Sequence, residues 1–508
     1  MKKTELTEMA SAIISPDELA KHNNKNSCWI AIGDTVWDVT DFVPKHPGGA
    51  SLILRLAGQD ATDQYSMFHN AALVQETLGS KAAVGRADRS TIIQPSTKPN
   101  HVPLGSQDAP PKRPPLRSVI SLHDFESVAE KFMTPLAWAY ISSGSDNEVS
   151  LRENALAYSK VFLRGRILRK ISSVSTKTQI LGFDSSLPIY TSPVGLGKLV
   201  HPDGECAIAR ADGEEGICQV VNTVSSCTIE EIMQARVRTD QPVFWQLYLD
   251  KDLEKSKKFV ERVEKAGVRA IWLTVDSPVT GNRERDERGK GVDDDVSVRT
   301  FCLETNVILA NTEQTEEILE DVVSDMKSGG AGVAASNNSF INGDVDWDII
   351  AWLRSITKLP LVVKGIGCVE DAVAAYEHGA DAIVLSNHGG RSQDTSQPPL
   401  LTLLEIRTYA PHIMGKKMQI FVDGGVRRGT DVLKALCLGA SAVGIGRPVL
   451  FSMSAGYGHY GIRRMIQILR REIETNMAFL GARTMGDLSA SMVNTRPLEN
   501  LLIPSAKL

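Results

Sequence analysis

Ala382-Ile383-Val384-Leu385-Ser386-Asn387-His388-Gly389-Gly390-Arg391 opens as four apolar residues and closes as a loop dense in reactive groups. The apolar run has the length and β-branched content of a strand buried on both faces, as in parallel sheets. Where it ends, three kinds of group arrive together. His388 can take up a proton near neutral pH. Gly389 and Gly390 let the backbone bend sharply or approach a flat ligand. Arg391 can fork onto a carboxylate. A base beside a carboxylate clamp points to chemistry on an α-substituted acid. The bland alternative is a strand-ending turn with a solvated His and Arg.

Seven further runs alternate with helix-like spacers from residue 118 onward. They are Leu187–Tyr190, Ile217–Val221, Val243–Leu247, Ala270–Val275, Leu361–Val363, Ile420–Val422 and Ala442–Ile445. Eight strands with helical spacers fit a (β/α)8 TIM barrel, with a doubly wound sheet as the competing architecture. Polar groups at the strand ends favour the barrel, whose C-terminal strand ends converge on one face. Those groups are Ser192/Gly195, Thr223/Ser225, Gln246/Tyr248, Thr274/Asp276, Lys364, Ser386/His388/Arg391, Asp423/Arg427 and Gly446/Arg447. Gly424, Gly425 and Gly446, with Arg427 and Arg447, suit a phosphate cradle at the last two strands. Gln246, Thr274 and Lys364 can hydrogen-bond the polar edge of a flavin, where a lysine would stabilise the reduced ring.

Ahead of this pattern, residues 12–88 read as a small separate unit. Short strands Trp29–Ile32 and Val36–Thr40 flank a Gly33-Asp34 turn. His46 and His69, 23 residues apart in loops beside apolar helices, could ligate a haem iron from opposite sides or be ordinary structural histidines. Residues 89–117 carry Pro95, Pro99, Pro103, Pro110, Pro111, Pro114 and Pro115 and read as an extended linker. The barrel unit is expected over 118–488, with a tail at 489–508. The stretch 287–346 is long for a loop and reads as a lid, a small insertion or a disordered segment.

Bulk properties narrow the classes. The 508-residue chain is 42% hydrophobic and 23% charged, with net charge −5, ordinary for a globular protein. No Lys/Arg run points to nucleic acid or an anionic membrane, and no apolar run is long enough to span a bilayer. Seven scattered cysteines without a CxxC pair argue against a disulfide framework and a zinc site. The N-terminus has no presequence or signal-peptide pattern. The C-terminal Ala506-Lys507-Leu508 is close to a peroxisomal S-K-L address, with the cytoplasm as the alternative location.

Two resemblances sharpen these readings. WDVTDFVPKHPGGASLILRLAGQDATDQYSMFH resembles the haem-binding core of the cytochrome b5 family, which implies one haem b held by His46 and His69. YISSG, SPVGLGKLVHPDGE, QLY, TVDSPVTGNRERD, VVKG, SNHGGR, FVDGGVRRGTDVLKALCLGA and GIGRP resemble the FMN-dependent L-2-hydroxy acid dehydrogenases and oxidases. The fusion of the two is similar to the flavocytochrome b2 type of L-lactate dehydrogenase.

This resemblance implies His388 as the base and Asp276 as its partner, raising the imidazole pKa. It implies Tyr140 and Tyr248 as donors to the substrate, and Arg391 and Arg283 as the carboxylate clamp. FMN would be held by Ser192, Gly195, Asn222, Gln246, Thr274, Lys364, Ser386, Asp423, Gly424, Gly425, Arg427, Gly446 and Arg447. Electrons would pass through haem b to cytochrome c or another one-electron acceptor, in a homotetramer. Gly195 and Val224 fall at the family's side-chain pocket, where small residues imply room for an acid bulkier than lactate. An oxidase using O2 is the alternative, and a haem-binding module on a dead barrel is a third class.

Overall fold

A computed structural model describes residues 13–46, 50–62, 65, 73–88, 112–288, 341–415 and 417–504. His69, the linker up to residue 111, most of the 287–346 stretch and Ala506-Lys507-Leu508 lie outside them. The chain forms two compact units.

The N-terminal unit is a mixed sheet packed on short helices. Its strands are β1 (Ile13–Ile14), β2 (Asn23–Asn24), β3 (Ser27–Ile32), β4 (Thr35–Asp38), β5 (Gln59–Asp60) and β6 (Ala83–Ala87). They lie in the order β1-β6-β4-β3-β2, with β5 beside β3. The hairpin β3–β4 turns at Gly33, whose φ of +58° is open to glycine. Cys28, Ile30, Trp37, Val39, Val43 and Ile53 make its core. His46 follows the 3-10 turn Val43–Lys45, half-buried, with its ring edge-on to Phe42 at 5.6 Å.

In the larger unit, after the helices Leu122–Phe132, Pro135–Ser142 and Val149–Ser159, comes β7 (Phe162–Leu163), which pairs with a late strand, β18 (Val493–Asn494). A hairpin follows, β8 (Thr178–Ile180) and β9 (Phe183–Ser185). Then come eight parallel strands: β10 (Ile189–Thr191), β11 (Cys218–Val221), β12 (Val243–Leu247), β13 (Ile271–Thr274), β14 (Leu361–Ile366), β15 (Ala382–Leu385), β16 (Gln419–Val422) and β17 (Ala442–Ile445). They close on themselves, β17 pairing with β10. The structure thus decides for the barrel over the doubly wound sheet.

The two-residue period of each strand sorts its side chains. Tyr190, Val220, Phe244, Trp272, Val362, Val384 and Phe421 fill the lumen, whereas Val221, Trp245, Leu273, Val363 and Ile383 face the helices. Trp272 is the hub: it stacks on Phe421 (5.5 Å, 10°) and Phe244 (5.9 Å, 17°), and Tyr190 meets it edge-on at 5.0 Å. The β8–β9 hairpin closes the N-terminal mouth by packing Ile180, Leu181 and Phe183 onto this cluster. The lumen is a packed core with no through-channel, so chemistry is left to the C-terminal rim.

Trp272→Ala should therefore cost about 3–5 kcal/mol, the usual penalty for emptying a large aromatic site. Chemical denaturation followed by far-UV circular dichroism measures it, and a loss under about 1 kcal/mol would contradict the hub role.

Candidate active site

The C-terminal ends of the barrel strands open into a cleft of about 1150 Å³ including its mouth. Behind it lies a buried charge relay. Asp276, two residues past β13, accepts from His388 Nδ1 on Oδ1 at 2.7 Å and from Lys364 Nζ on Oδ2 at 3.2 Å. Lys364, near the end of β14, also donates to Ser386 Oγ at 3.0 Å and lies 3.8 Å from Asp423. The Lys364 and Asp276 side chains are only 5% and 6% exposed, and that of His388 is 22% exposed.

Local backbone makes this packing possible. Strand β14 breaks register between Lys364 and Ile366, where Gly365 takes φ +113°. A Cβ on Gly365 would stand 2.5 Å from Asp276 Cβ, so glycine is what lets the carboxylate approach. His388, Gly389 and Gly390 all have left-handed backbone, at φ +57°, +65° and +76°. Such a conformation is uncommon for a residue with a Cβ and clusters at functional sites. It turns the imidazole back over the strand ends, onto Asp276.

Burial alone would raise the Asp276 carboxyl, but its pairing with His388 and Lys364, each bonded to one of its oxygens, outweighs that and holds it well below the usual carboxylate range. The Lys364 ammonium is raised despite burial because Asp276 and Asp423 flank it. His388 behaves differently from expectation. Burial lowers its pKa from the ordinary 6.5 by more than Asp276 raises it. The imidazole is thus held neutral, ready to accept a proton, while Asp276 waits to stabilise the cation that would form.

Across the cleft stand two guanidiniums. Arg391 lies over the Tyr140 ring at 4.7 Å and donates to the Ile141 carbonyl. Arg283 is buried and donates to the Arg391 carbonyl. Among the described residues neither has a carboxylate within 4 Å. Burial and then the neighbouring Arg391 push Arg283 down to about 10, still protonated at neutral pH. Two adjacent cations with no carboxylate in ion-pair contact among the described residues suit an anion. Tyr248, buried beside them, has its phenol raised by burial and so stays a hydrogen-bond donor.

Ser192, Gly195, Asn222, Val224, Gln246, Thr274, Lys364, Asp423, Gly424, Gly425, Arg427, Gly446 and Arg447 line the same cleft, with Tyr140, Tyr248, Arg283, His388 and Arg391. Asp276 and Ser386 stand behind it. Four atoms at this wall, Ser192 Oγ, Gln246 Nε2, Thr274 Oγ1 and Asp423 Oδ1, are buried without a hydrogen-bond partner. Buried polar atoms are seldom left so, and their mix of donors and acceptors fits the heteroatom edge of a flavin ring.

Arg447 is half-buried and bonds three backbone carbonyls, those of Ile141 (2.9 Å), Gly389 (2.9 Å) and Ser143 (2.8 Å), so it is a brace as well as a charge. Arg427 pairs with Glu126 at 3.1 Å. Burial first, then Arg391, Arg427 and Arg283, depress Arg447. Four guanidiniums, of which Arg427 is ion-paired with Glu126, give the rim a positive field suited to phosphate.

One expectation needs correction. Gly195 lines the cleft, but a Cβ there would stand 2.4 Å from the Val224 carbonyl oxygen. Backbone already fills that volume, so any spare room comes from the Val224 side chain. Other supports carry little sequence signal. Asn154 and Asn387 exchange paired 2.8 Å hydrogen bonds across 233 residues, and Asn387 Oδ1 also accepts from Gly390 N. Ser277 Oγ donates to Asp276 and lies 3.3 Å from His388 Nδ1; its place next to Asp276 was the available clue.

Comparison with known proteins agrees with this geometry. The FMN-dependent dehydrogenase family matches residues 129–495, and the cytochrome b5-like heme/steroid binding domain matches residues 15–88. The L-lactate dehydrogenase (cytochrome) of Wickerhamomyces anomalus is 38% identical over 97% of this chain and 82% of its own length. A mutant flavocytochrome b2 solved with pyruvate bound is 37% identical, with TM-score 0.65, over 77% of this chain and 90% of that one. A mutant mandelate oxidase solved with (S)-mandelic acid is 34% identical, with TM-score 0.61, over 74% and 98%. Among the described residues no helix is long and apolar enough to cross a membrane.

The neutral imidazole has a consequence for stability. Because the folded His388 pKa is depressed, the unfolded chain binds the extra proton first, so stability falls as pH drops below about 6.5. Between pH 7 and 5 the wild-type denaturation midpoint should fall more steeply than that of His388→Gln. Equal slopes would contradict a depressed pKa at this residue.

Proposed function

This chain belongs to the FMN-dependent dehydrogenase family and carries a cytochrome b5-like haem domain in the same polypeptide, and from that premise we propose that it oxidises L-lactate or a bulkier L-2-hydroxy acid to the 2-oxo acid. FMN, when bound, would supply the two-electron acceptor for this oxidation, and haem b the one-electron route to an external acceptor. The observation that carries the substrate class is the half-buried imidazole of His388 facing, across one cleft, two guanidiniums, Arg283 and Arg391, that have no carboxylate in ion-pair contact among the described residues.

Arg391 and Arg283 bind the substrate carboxylate, with Tyr140 and Tyr248 donating to its carboxylate and hydroxyl oxygens. That fixes the substrate's Cα–OH group relative to His388. Nδ1 of His388 stays on Asp276, which leaves Nε2 to take the proton. Asp276, kept ionised by Lys364, stabilises the resulting imidazolium. Ser192, Gly195, Asn222, Gln246, Thr274, Lys364, Ser386 and Asp423 would hold the flavin ring. Gly424, Gly425, Gly446, Arg427 and Arg447 would hold its phosphate. His46 and His69 would ligate the haem iron. Cytochrome c as acceptor and a homotetrameric assembly belong to this reading on resemblance alone.

A relative that carries the haem unit, rather than the barrel alone, is the cytochrome-type dehydrogenase, which favours this reading over an O2-using oxidase. The side chain that the substrate bears is set by Val224, buried at the cleft wall. One methylene in an apolar pocket is worth about 1–3 kcal/mol. The kcat/KM values for lactate, 2-hydroxybutyrate, 2-hydroxy-4-methylpentanoate and mandelate should therefore place a substrate larger than lactate first or level with it. A lead of tenfold or more for lactate would remove the roomy pocket from the account. Failure of all four would remove the substrate class.

A further inference from the structure

Asp276 has a third donor besides its two charged partners. Ser277, its neighbour in the chain, is buried and donates from Oγ to Asp276 Oδ1 at 3.0 Å. That is the same oxygen that receives His388 Nδ1 at 2.7 Å. Ser277 Oγ also lies 3.3 Å from His388 Nδ1 and 3.1 Å from Ser392 Oγ. A hydroxyl has one proton to give, and an ionised carboxylate can only accept. The Ser277 proton therefore goes to Asp276, and Ser392 is left to donate to Ser277. Two hydroxyls in series, Ser392 then Ser277, thus end on the carboxylate oxygen that serves the base.

The pair is held in place by the loops around it. The Ser392 carbonyl accepts from Ser145 Oγ at 2.7 Å. A Cβ on Gly281 would stand 2.3 Å from that carbonyl oxygen and 2.4 Å from the carbonyl oxygen of Arg391. The loop that carries Ser277 is therefore pressed against the loop that carries His388.

We infer that Ser277 is a positioning residue for the base: its hydroxyl takes a share of the Asp276 charge and so limits how firmly His388 holds a proton. The inference rests on the reading of His388 as the proton acceptor. Its sign follows from competition at one oxygen, where each donor withdraws charge from the other. The donation at 3.0 Å outweighs the weaker acceptance that the same hydroxyl offers Nδ1 at 3.3 Å. Burial already holds the imidazole below its ordinary pKa, and the serine works in the same direction. The charged and titratable groups around the ring are Asp276 and Arg283 of the loop after β13, Lys364 of β14, Arg391 of its own loop, Tyr248 after β12 and Tyr140 of the helix Pro135–Ser142. A change at residue 277 leaves all of them in the chain.

The test compares Ser277→Ala and Ser277→Thr with wild type as full-length holoenzyme. Anaerobic stopped-flow mixing with subsaturating L-lactate or L-mandelate gives the second-order rate constant of flavin bleaching as pH is varied. Its acid limb reports the base of the free enzyme. With the hydroxyl gone, Asp276 Oδ1 serves His388 alone, so the limb of Ser277→Ala should move to higher pH by about 0.5 unit or more. Ser277→Thr keeps the donor, and the apolar cavity that residue 277 also lines, with Leu249, Val275 and Pro278, has room for the added methyl. Its limb should stay with wild type.

A second readout needs no substrate. A folded pKa brought nearer its ordinary value differs less from that of the unfolded chain. Between pH 7 and 5 the denaturation midpoint of Ser277→Ala should therefore fall less steeply than that of wild type. A serine that only packs would lower the midpoint equally at every pH and leave the limb unmoved. An alanine limb that coincides with wild type or moves to lower pH overturns the inference, as does an equal or steeper fall of the midpoint. A wild type that neither acid reduces counts against the substrate reading instead, and the midpoint comparison then decides the serine's role by itself.

Discussion

Asp276 is a carboxylate taken almost wholly out of water and kept ionised by Lys364 on one oxygen and His388 on the other. A buried charge is tolerable only with such partners, and removing one typically costs 3–5 kcal/mol. Much of the rim can be read as the means of assembling this arrangement. The β14 bulge at Gly365 makes room for the Asp276 backbone, Asp423 shares the Lys364 charge, and the left-handed turn at His388 brings the ring back to the carboxylate. The result is an imidazole kept neutral by burial with its counter-charge already in place. A base needs both properties: free of a proton before the reaction, stabilised when it holds one.

The second constraint is the sign of the field. Arg283, Arg391, Arg427 and Arg447 crowd one rim, where Glu126 is the carboxylate in ion-pair contact, through Arg427. Part of the cost of collecting like charges is met by turning guanidinium donors onto backbone carbonyls. Arg447 bonds Ile141, Ser143 and Gly389, and Arg391 also reaches Ile141. These bonds hold the loop after β15 against the segment 141–143, so the charges that would attract anionic groups also fix the loop that carries the base. Binding and positioning are thus physically coupled here.

The eight barrel strands were legible because each is a short apolar run whose end carries a polar group, and closure brings those ends to one face. The residues with obvious chemistry, from Ser192 to Arg447, were legible for the same reason. What sequence could not supply is the balance of opposed effects. A carboxylate beside His388 suggests a raised pKa, but burial, a property of the folded barrel, outweighs it. A glycine at 195 suggests empty space, but the Val224 carbonyl has moved into it. The Asn154–Asn387 pair spans 233 residues and joins two ordinary polar side chains, so no local pattern marks it.

The central claim is that His388 removes the proton whose loss lets electrons leave the substrate. Anaerobic stopped-flow absorbance on full-length protein carrying both cofactors tests it most directly, comparing wild type with His388→Gln. Wild type should bleach the flavin on mixing with substrate and then reduce the haem. The variant should keep both chromophores but slow flavin bleaching by about 10²-fold or more, the usual contribution of a positioned base. Flavin bleaching in the variant at half the wild-type rate would contradict the account.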